Sequence, residues 1–453
     1  MNIVIVGGGK VGGALAAQLS AENHDIAVID THSERLSVIS NTLDVITMCG
    51  NGASYAVQKE AGVENADLLI AATGADEINM LCCIVAKKIG AKHTIARVRN
   101  PEYHQQMFFL REELGLSLAI NPEQAAANEI SRILRFPSAI KVEPFAKGRV
   151  ELVELRLREE SPLCGVALHK LPSMLQSRVL ICAVERGDDV FIPSGGFVLQ
   201  ADDHLHIIAP PKDIEQFFKT MGTFKRSAKD VMLVGGGRIS YYLALRLSDA
   251  GIHTKIIEID EERCNTLCEL LPKATIIHGD GADHELLQEE GIAHAGAFVA
   301  LTGIDEENII LSMFANTVGV EKVITKVSKT NYIEMLNNSS LESFICPKDI
   351  TTSQILQYVR GMQNSLGSSV ETLYRLVGDR VEALEFHVRK DSAVIGIPIK
   401  ELRLKSSILI AAIIRRGRCI IPGGDDAIEE LDSVIVITTD CGLCELDHII
   451  RED

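Results

Sequence analysis

The sequence predicts an α/β protein: two doubly wound parallel-sheet domains, each followed by a small α+β domain. Two observations carry this. Short β-branched runs alternate with helical stretches, a pitch that implies parallel strands covered by crossover helices on both faces. The whole pattern is also written twice. Ile3-Val-Ile-Val-Gly7-Gly-Gly9-Lys-Val-Gly12 returns 228 residues later as Val231-Met-Leu-Val-Gly235-Gly-Gly237-Arg-Ile-Ser240. Gly50-Asn-Gly52 returns as Gly279-Asp-Gly281, and Ala72-Thr73-Gly74 as Leu301-Thr302-Gly303, at nearly the same offset. A repeat with its marks in order fixes the architecture before single elements are assigned.

In the first copy Ile3–Val6, Asp25–Ile29, Val45–Met48, Leu68–Ala72 and Thr94–Val98 read as strands. They are short, β-branched and bounded by Gly, Asn or Asp. Val11–Ala21, Arg35–Thr42, Ala53–Ala61 and Asn79–Ile89 carry helical spacing between them. Residues 230–345 repeat the order. Each copy closes with Pro and a helix, Pro122–Phe136 and Pro347–Arg360; Pro suits the first helical turn, where its missing N–H costs nothing. Ile130, Ile133 and Leu134 share one helix face, as do Ile355, Tyr358, Val359 and Met362. Such a face packs either on its own sheet or across to another unit. The assembly expected below takes the second course.

A smaller strand-rich module follows each helix, with paired marks: Leu163-Cys-Gly165 with Val394-Ile-Gly396, and Ile192-Pro-Ser-Gly195 with Ile421-Pro-Gly-Gly424. One helix is expected near Asp213–Met221, and Phe224–Lys229 is polar enough to link the halves. The division is therefore 1–122 and 228–346 for the nucleotide-binding domains, 123–139 and 347–366 for the crossover helices, and 140–225 and 367–453 for the small domains.

Composition narrows the function. Trp is absent and aromatics are 4%, so cores must be built from Val, Ile, Leu and Ala. The 11 Cys residues follow no framework and no signal peptide precedes them, which predicts a reducing cytoplasm. No apolar run approaches the roughly 18 residues that would span a bilayer. A formal charge of −17 argues against nucleic acid and against anionic membrane surfaces, both of which need basic patches. It leaves open docking on a membrane protein, whose cytoplasmic loops are rich in Lys and Arg.

Gly7, Gly9 and Gly12 follow a strand directly and open a helix. The first permits the tight turn, the second lets backbone approach a pyrophosphate, and the third allows close helix–strand packing. Gly8, Lys10 and Val11 complete this Rossmann-like turn, whose free N–H groups suit phosphate. Asp30 ends the second strand, where a carboxylate accepts from ribose hydroxyls and repels a 2′-phosphate. The site should prefer NAD(H) or an adenosine phosphate such as ATP or ADP over NADP. The second copy offers Gly235, Gly237, Arg238 and Ile239, with Ser240 at the third Gly position, and a second, weaker site is expected there. Glu258 takes the ribose position, with Asp260 as a rival two residues on.

Asn51 and Gly52, with Asp280 opposite them in the repeat, lie at the carboxyl ends of the third strands. Thr73, Gly74 and Thr302 follow the fourth strands, as ligand contacts or helix caps. Arg97 and Lys326 close the fifth, as phosphate contacts or as solvated charges. Cys441-Gly-Leu-Cys444 has redox or metal spacing but no second pair. His204 and His206 alternate on one strand and read as surface histidines. No nucleophile–base pair stands opposite the turns, so the chain is not expected to be an enzyme. An NAD-dependent dehydrogenase and a soluble nucleotide sensor remain the rival readings.

The duplicated order of nucleotide-binding domain, crossover helix and small domain resembles the regulatory proteins of Trk-type potassium uptake. Their RCK (regulator of potassium conductance) N and C domains occur in tandem. Val4–Gly12, Asp30, Thr73-Gly74 and Arg97 carry the resemblance, with Leu163-Cys-Gly165 and Ile192-Pro-Ser-Gly195 in the C domain. It implies a cytoplasmic gating ring, responsive to NAD(H) and adenine nucleotides. The ring would be peripheral on the inner face of the cell membrane, bound to a potassium channel or transporter subunit of the TrkH/TrkG type. Eight RCK units per ring imply a homotetramer of this chain.

Overall fold

In the computed structural model, the described residues are 1–136, 138–175, 177–221, 228–336, 340–364, 370–376, 380–440, 443 and 445–451. The first copy runs β1 (Asn2–Val6), α1 (Lys10–Ala21), β2 (Asp25–Asp30), α2 (Ser33–Thr42), β3 (Ile46–Cys49) and α3 (Tyr55–Glu60). It continues with β4 (Leu68–Ala71), α4 (Asp76–Ile89), β5 (His93–Arg97), α5 (Pro101–Gln105), α6 (Met107–Leu114) and β6 (Leu118–Ile120). The six strands form one sheet in the order β3-β2-β1-β4-β5-β6, with every pair parallel. The order reverses between β1 and β4, and the crevice beyond the strand ends there is where doubly wound sheets bind ligands. The pair of helices after β5 and the sixth strand were not anticipated from the sequence.

The crossover helix α7 (Pro122–Arg135) starts with Pro122 in its first turn, and the Asn121 side chain accepts from Gln124 N–H. The small domain follows as β7 (Lys141–Phe145), β8 (Val150–Arg156), α8 (Leu171–Met174), β9 (Leu180–Arg186), β10 (Asp189–Phe191), β11 (His204–Ala209) and α9 (Pro211–Thr220). Its sheet is antiparallel, β10-β9-β11-β8-β7.

The second copy repeats the plan. It comprises β12 (Asp230–Val234), α10 (Arg238–Asp249), β13 (His253–Glu258), α11 (Glu261–Leu270), β14 (Thr275–His278), α12 (His284–Glu289) and β15 (Ala297–Ala300). It continues with α13 (Asp305–Thr317), β16 (Val323–Lys326), α14 (Thr330–Leu336), β17 (Ser343–Ile345) and α15 (Pro347–Asn364). The last small domain holds β18 (Val370–Leu376), β19 (Val381–His387), β20 (Ile408–Arg415), β21 (Arg418–Ile420) and β22 (Ser433–Thr438). The second parallel sheet is β14-β13-β12-β15-β16-β17, and the second antiparallel sheet β18-β19-β22-β20-β21. The chain is thus two Rossmann-like sheets, each followed by a small α+β domain. Most of the linker expected at Phe224–Lys229, and both Cys441 and Cys444, lie outside the described residues.

The crossover helices are exchanged. Ile130, Ile133 and Leu134 of α7 are buried among Val231, Leu233, Leu243 and Val299, which belong to the second parallel domain. Ile355, Leu356 and Val359 of α15 are buried among Ile3, Ile5, Leu15 and Leu68 of the first. Arg360 near the end of α15 pairs with Glu22 behind α1. The two small domains also share a core, with Phe145, Val150, Leu152 and Ile208 against Val381, Ala383, Ala411 and Ile435. The helix faces do cross to another unit, but that unit lies in the same chain, so they are already covered.

Candidate nucleotide-binding cleft

Gly7 has φ +104°, and a Cβ there would lie 2.9 Å from the Ala72 carbonyl oxygen. Only Gly adopts this turn without strain. A Cβ at Gly12 would fall 1.8 Å from the Gly7 carbonyl oxygen, whereas one at Gly9 would meet nothing within 4 Å. The third Gly therefore packs, and the second faces open space at the N-cap of α1. The close packing at Gly12 is the one expected of the third glycine.

Asp30 ends β2 with its carboxylate buried. One oxygen accepts Gly8 N–H at 2.7 Å, and the other accepts His32 N–H at 2.8 Å and faces the His32 ring at 3.0 Å. Arg35 lies 3.6 Å away. Burial opposes ionisation of Asp30, but the hydrogen bonds from His32 and Gly8 and the Arg35 charge outweigh it. The carboxyl is held below its usual range. It is a fixed, ionised acceptor.

These groups line one wall of a cleft of about 1000 Å³. Gly7, Gly9, Lys10, Val11, Asp30, Asn51, Gly52, Thr73, Gly74 and Arg97 all face it. The other wall comes from the second copy: Gly237, Arg238, Ile239 and Lys326, with Lys348 of the exchanged helix α15. Gly8 stays outside the lining, its N–H spent on Asp30, and Gly12 is buried beneath the turn. Six cations (Lys10, Arg35, Arg97, Arg238, Lys326 and Lys348) meet only two carboxylates, Asp30 and Glu123, among the cleft's described residues. In a chain of net charge −17 this local excess marks an anion site.

Arg97 is half-buried, its guanidinium reaching Thr73 O at 3.5 Å. Burial, with Arg99 and Arg238 nearby, lowers its pKa. Arg97 Nε and Glu123 Oε2 are both buried with no hydrogen-bond partner among the described residues. Unpaired groups of this kind cost about 1–3 kcal/mol each and mark places where a ligand or water completes the set. Lys326 donates to Thr302 O, and burial lowers its pKa too, against the pull of Asp305. Neither cation is a solvated surface charge.

The Thr73 hydroxyl is committed inward, 2.6 Å from Asn79 Oδ1. Asn79 is fully buried; its Oδ1 also accepts Thr73 N–H, and its amide donates to Arg97 O at 2.8 Å. Asn308 ties Thr302 to Lys326 in the same way. Thr73 and Thr302 do not cap the following helices, whose N-caps are Ala75 and Ile304. Sequence reasoning passed over Asn79 and Asn308, although the repeat places them at equal offsets. It also missed Arg35, Glu123 and Lys348. The last two open α7 and α15 just after the sixth strands, which bring them to the carboxyl edge beside Arg97 and Lys326.

The second turn departs from the first. Glu258 accepts Gly236 N–H at 2.5 Å, matching Asp30, while Asp260 caps α11 by accepting Arg263 N–H at 2.8 Å. That cap engages Asp260 at the start of α11. Ser240 is fully buried and donates to Gly235 O. Arg263, the counterpart of Arg35, folds back with Nε on Gly236 O at 2.7 Å. Gly235, Glu258, Asp280 and Thr302 do not line the shared cleft, and Asp280 accepts Ala282 N–H in a local turn. His206 is buried, not on the surface, because β11 is the central strand of its sheet; His204 lies 3.2 Å from Glu154. The described residues contain no group of three or more His, Cys, Asp or Glu placed to hold a metal ion. None of their helices is long and apolar enough to cross a membrane.

The TrkA-N domain model matches residues 3–122 and 231–347, and the TrkA-C domain model residues 152–222 and 383–450. The chain is 34% identical over its full length to a Trk system potassium uptake protein TrkA homolog of Archaeoglobus fulgidus, covering all of that protein. It is 32% identical to a TrkA homolog of Methanosarcina mazei, again with full coverage of both. With TrkA of Halomonas elongata it shares 34% over 97% of this chain and 96% of the other. Among solved structures, the GsuK RCK domain has a TM-score of 0.63 at 16% identity, covering 96% of this chain and 92% of that one. The GsuK channel bound to NAD has a TM-score of 0.64 at 16% identity, over 96% and 76%. With two TrkA-N and two TrkA-C domains in one chain, this protein belongs to the TrkA family of potassium-uptake regulatory proteins.

Proposed function

We propose that the chain is a regulatory subunit that binds NAD(H) or adenine nucleotides and controls a membrane potassium channel or transporter of the TrkH/TrkG type. The observation that carries the proposal is the shared cleft. A ligand held there touches the first glycine turn and Asp30 on one wall and Arg238, Lys326 and Lys348 on the other. Its binding energy then depends on how the two nucleotide domains are placed. A ligand that favours one placement shifts the population toward it, and a tenfold preference is worth about 1.4 kcal/mol. The mechanism is linkage and not catalysis.

The names of the relatives, potassium uptake proteins, supply the partner class. GsuK structures bound to NAD and to ADP supply the ligand class. Four chains would give a ring of eight units. Exposed apolar residues suggest where they meet: Leu81 on α4, and Ile310 and Met313 on α13, at 44%, 60% and 48% exposure. These take the place of the covered faces of α7 and α15. Affinity capture from detergent-solubilised membranes tests the reading. The chain should recover an integral potassium-transporting protein; recovery of no membrane protein would favour a free nucleotide sensor.

A further inference from the structure

The two walls of the nucleotide cleft come from different halves of the chain, and both carry positive charge. Burial lowers the Arg97 pKa, and the fields of Arg99 and Arg238 add to it against Glu123 and Asp76. Lys326 is lowered by burial and, in the same way, by Lys10, against Asp305 and Glu123. Each glycine turn thus brings a cation within electrostatic reach of the fifth strand of the other half: Arg238 to Arg97, and Lys10 to Lys326. Like charges repel. Before a ligand neutralises them, some other bond must hold such a pair together.

At the first pair that bond is visible. Tyr242 stands one helical turn after Arg238 on the same face of α10, and Arg99 stands two residues after Arg97. The Tyr242 hydroxyl donates to Arg99 O at 3.3 Å and accepts the Asn121 amide N–H at 2.9 Å; that amide also reaches Arg99 O at 3.5 Å. Both partners are fixed on the first half. Asn121 caps α7, and Arg99 N–H donates to Asp76 Oδ2 at 2.7 Å. The Tyr242 ring is buried in the core that α10 shares with α7. Burial pushes its hydroxyl up to about 12, the Asn121 bond opposing, so the proton given to Arg99 O stays in place. The repeat sets Ala14, Ser328 and Cys346 where Tyr242, Arg99 and Asn121 stand. Asp305 copies Asp76 by accepting Ser328 N–H at 2.9 Å, but the Ala14 side chain has no polar group to cross with. The fold therefore does not itself require the tie.

We propose that Tyr242 is a positioning residue for the nucleotide: its hydroxyl, bonded to Arg99 and Asn121, holds Arg238 opposite Arg97 before a ligand arrives. The inference rests on the nucleotide reading above and adds the point at which the two walls are fixed. Without the tie, repulsion opens this side of the cleft, and the fraction of chains competent to bind falls. Apparent affinity falls by the same factor.

A double-mutant cycle read by calorimetry with NADH tests this on the full chain. Tyr242→Phe keeps the ring and removes only the hydroxyl, and NADH affinity should fall about fivefold, the scale of one hydrogen bond. On an Arg238→Ala background the same change should have no effect, because the Arg97 wall then has no Arg238 to hold. An equal loss on both backgrounds would make Tyr242 merely structural and overturn the proposal, as would full affinity in Tyr242→Phe. Hydrogen exchange on the ligand-free chain gives a reading that needs no nucleotide. It should quicken in residues 97–100 and 238–242 of Tyr242→Phe, and unchanged exchange there would overturn the tie. A parent that binds no NADH, with exchange still responding to Tyr242→Phe, would count against the nucleotide reading and for the tie.

Discussion

Asp30 is held ionised by hydrogen bonds from Gly8 and His32 and by Arg35, so it meets a ligand already oriented. Removing it should cost about 1.5–3 kcal/mol, the worth of a hydrogen bond to a charged group. Calorimetry on Asp30→Ala should show NADH affinity falling about tenfold or more. Arg238→Ala, in the other copy, should weaken the same binding, because both residues face one cleft. Unchanged affinity in Arg238→Ala would mean that each copy binds alone. Asp30 was legible because the Gly turn fixes where the second strand ends. Lys348 and Glu123 were not, since each follows a sixth strand of three residues that carries no readable period.

Lys322 gives a second prediction at this scale, in pH. Its folded pKa of about 8 lies below the ordinary 10.5, so between those values the unfolded chain binds the extra proton. Stability then rises with pH over that window from this group alone. Relative to Lys322→Met, the parent should gain in urea midpoint from pH 8 toward pH 10. A constant difference between the two would refute the depressed pKa.

At the scale of elements, the amphipathic stripes of α7 and α15 announced that these helices bury a face. They did not announce against what. The pattern Ile130, Ile133, Leu134 is the same whether the sheet beneath belongs to the helix's own unit or to the other. In the structure the exchange decides which domain each helix supports. Ile133→Ala should cost about 2–5 kcal/mol through the cavity it leaves. Hydrogen exchange should then quicken in residues 231–301, while Ile355→Ala should act on residues 3–71. The opposite pattern, each helix protecting the domain that precedes it, would contradict the exchange. The parallel strands were legible to within one or two residues from β-branched runs and Gly boundaries. The sixth strands, Leu118–Ile120 and Ser343–Ile345, were too short to carry a period.

For the whole molecule, the repeat made the four-domain plan legible, because marks at one offset force one fold twice. The joining of two glycine turns in a single cleft needed the three-dimensional packing. With α7 and α15 covered within the chain, the proposed ring would have to join its chains through other faces. Aspartate at both Ile310 and Met313 should therefore split a tetramer into smaller particles by light scattering while NADH still binds. A parent that runs as a monomer at micromolar concentration would contradict the ring.

The most direct test is potassium flux through the membrane partner reconstituted in vesicles with this chain, as NADH, NAD, ADP or ATP is titrated. With the parent, flux should change with at least one nucleotide, and with Asp30→Ala that response should shift to concentrations about tenfold higher or more. Flux indifferent to all four nucleotides with the parent bound, or an identical response with Asp30→Ala, would contradict regulation through this cleft.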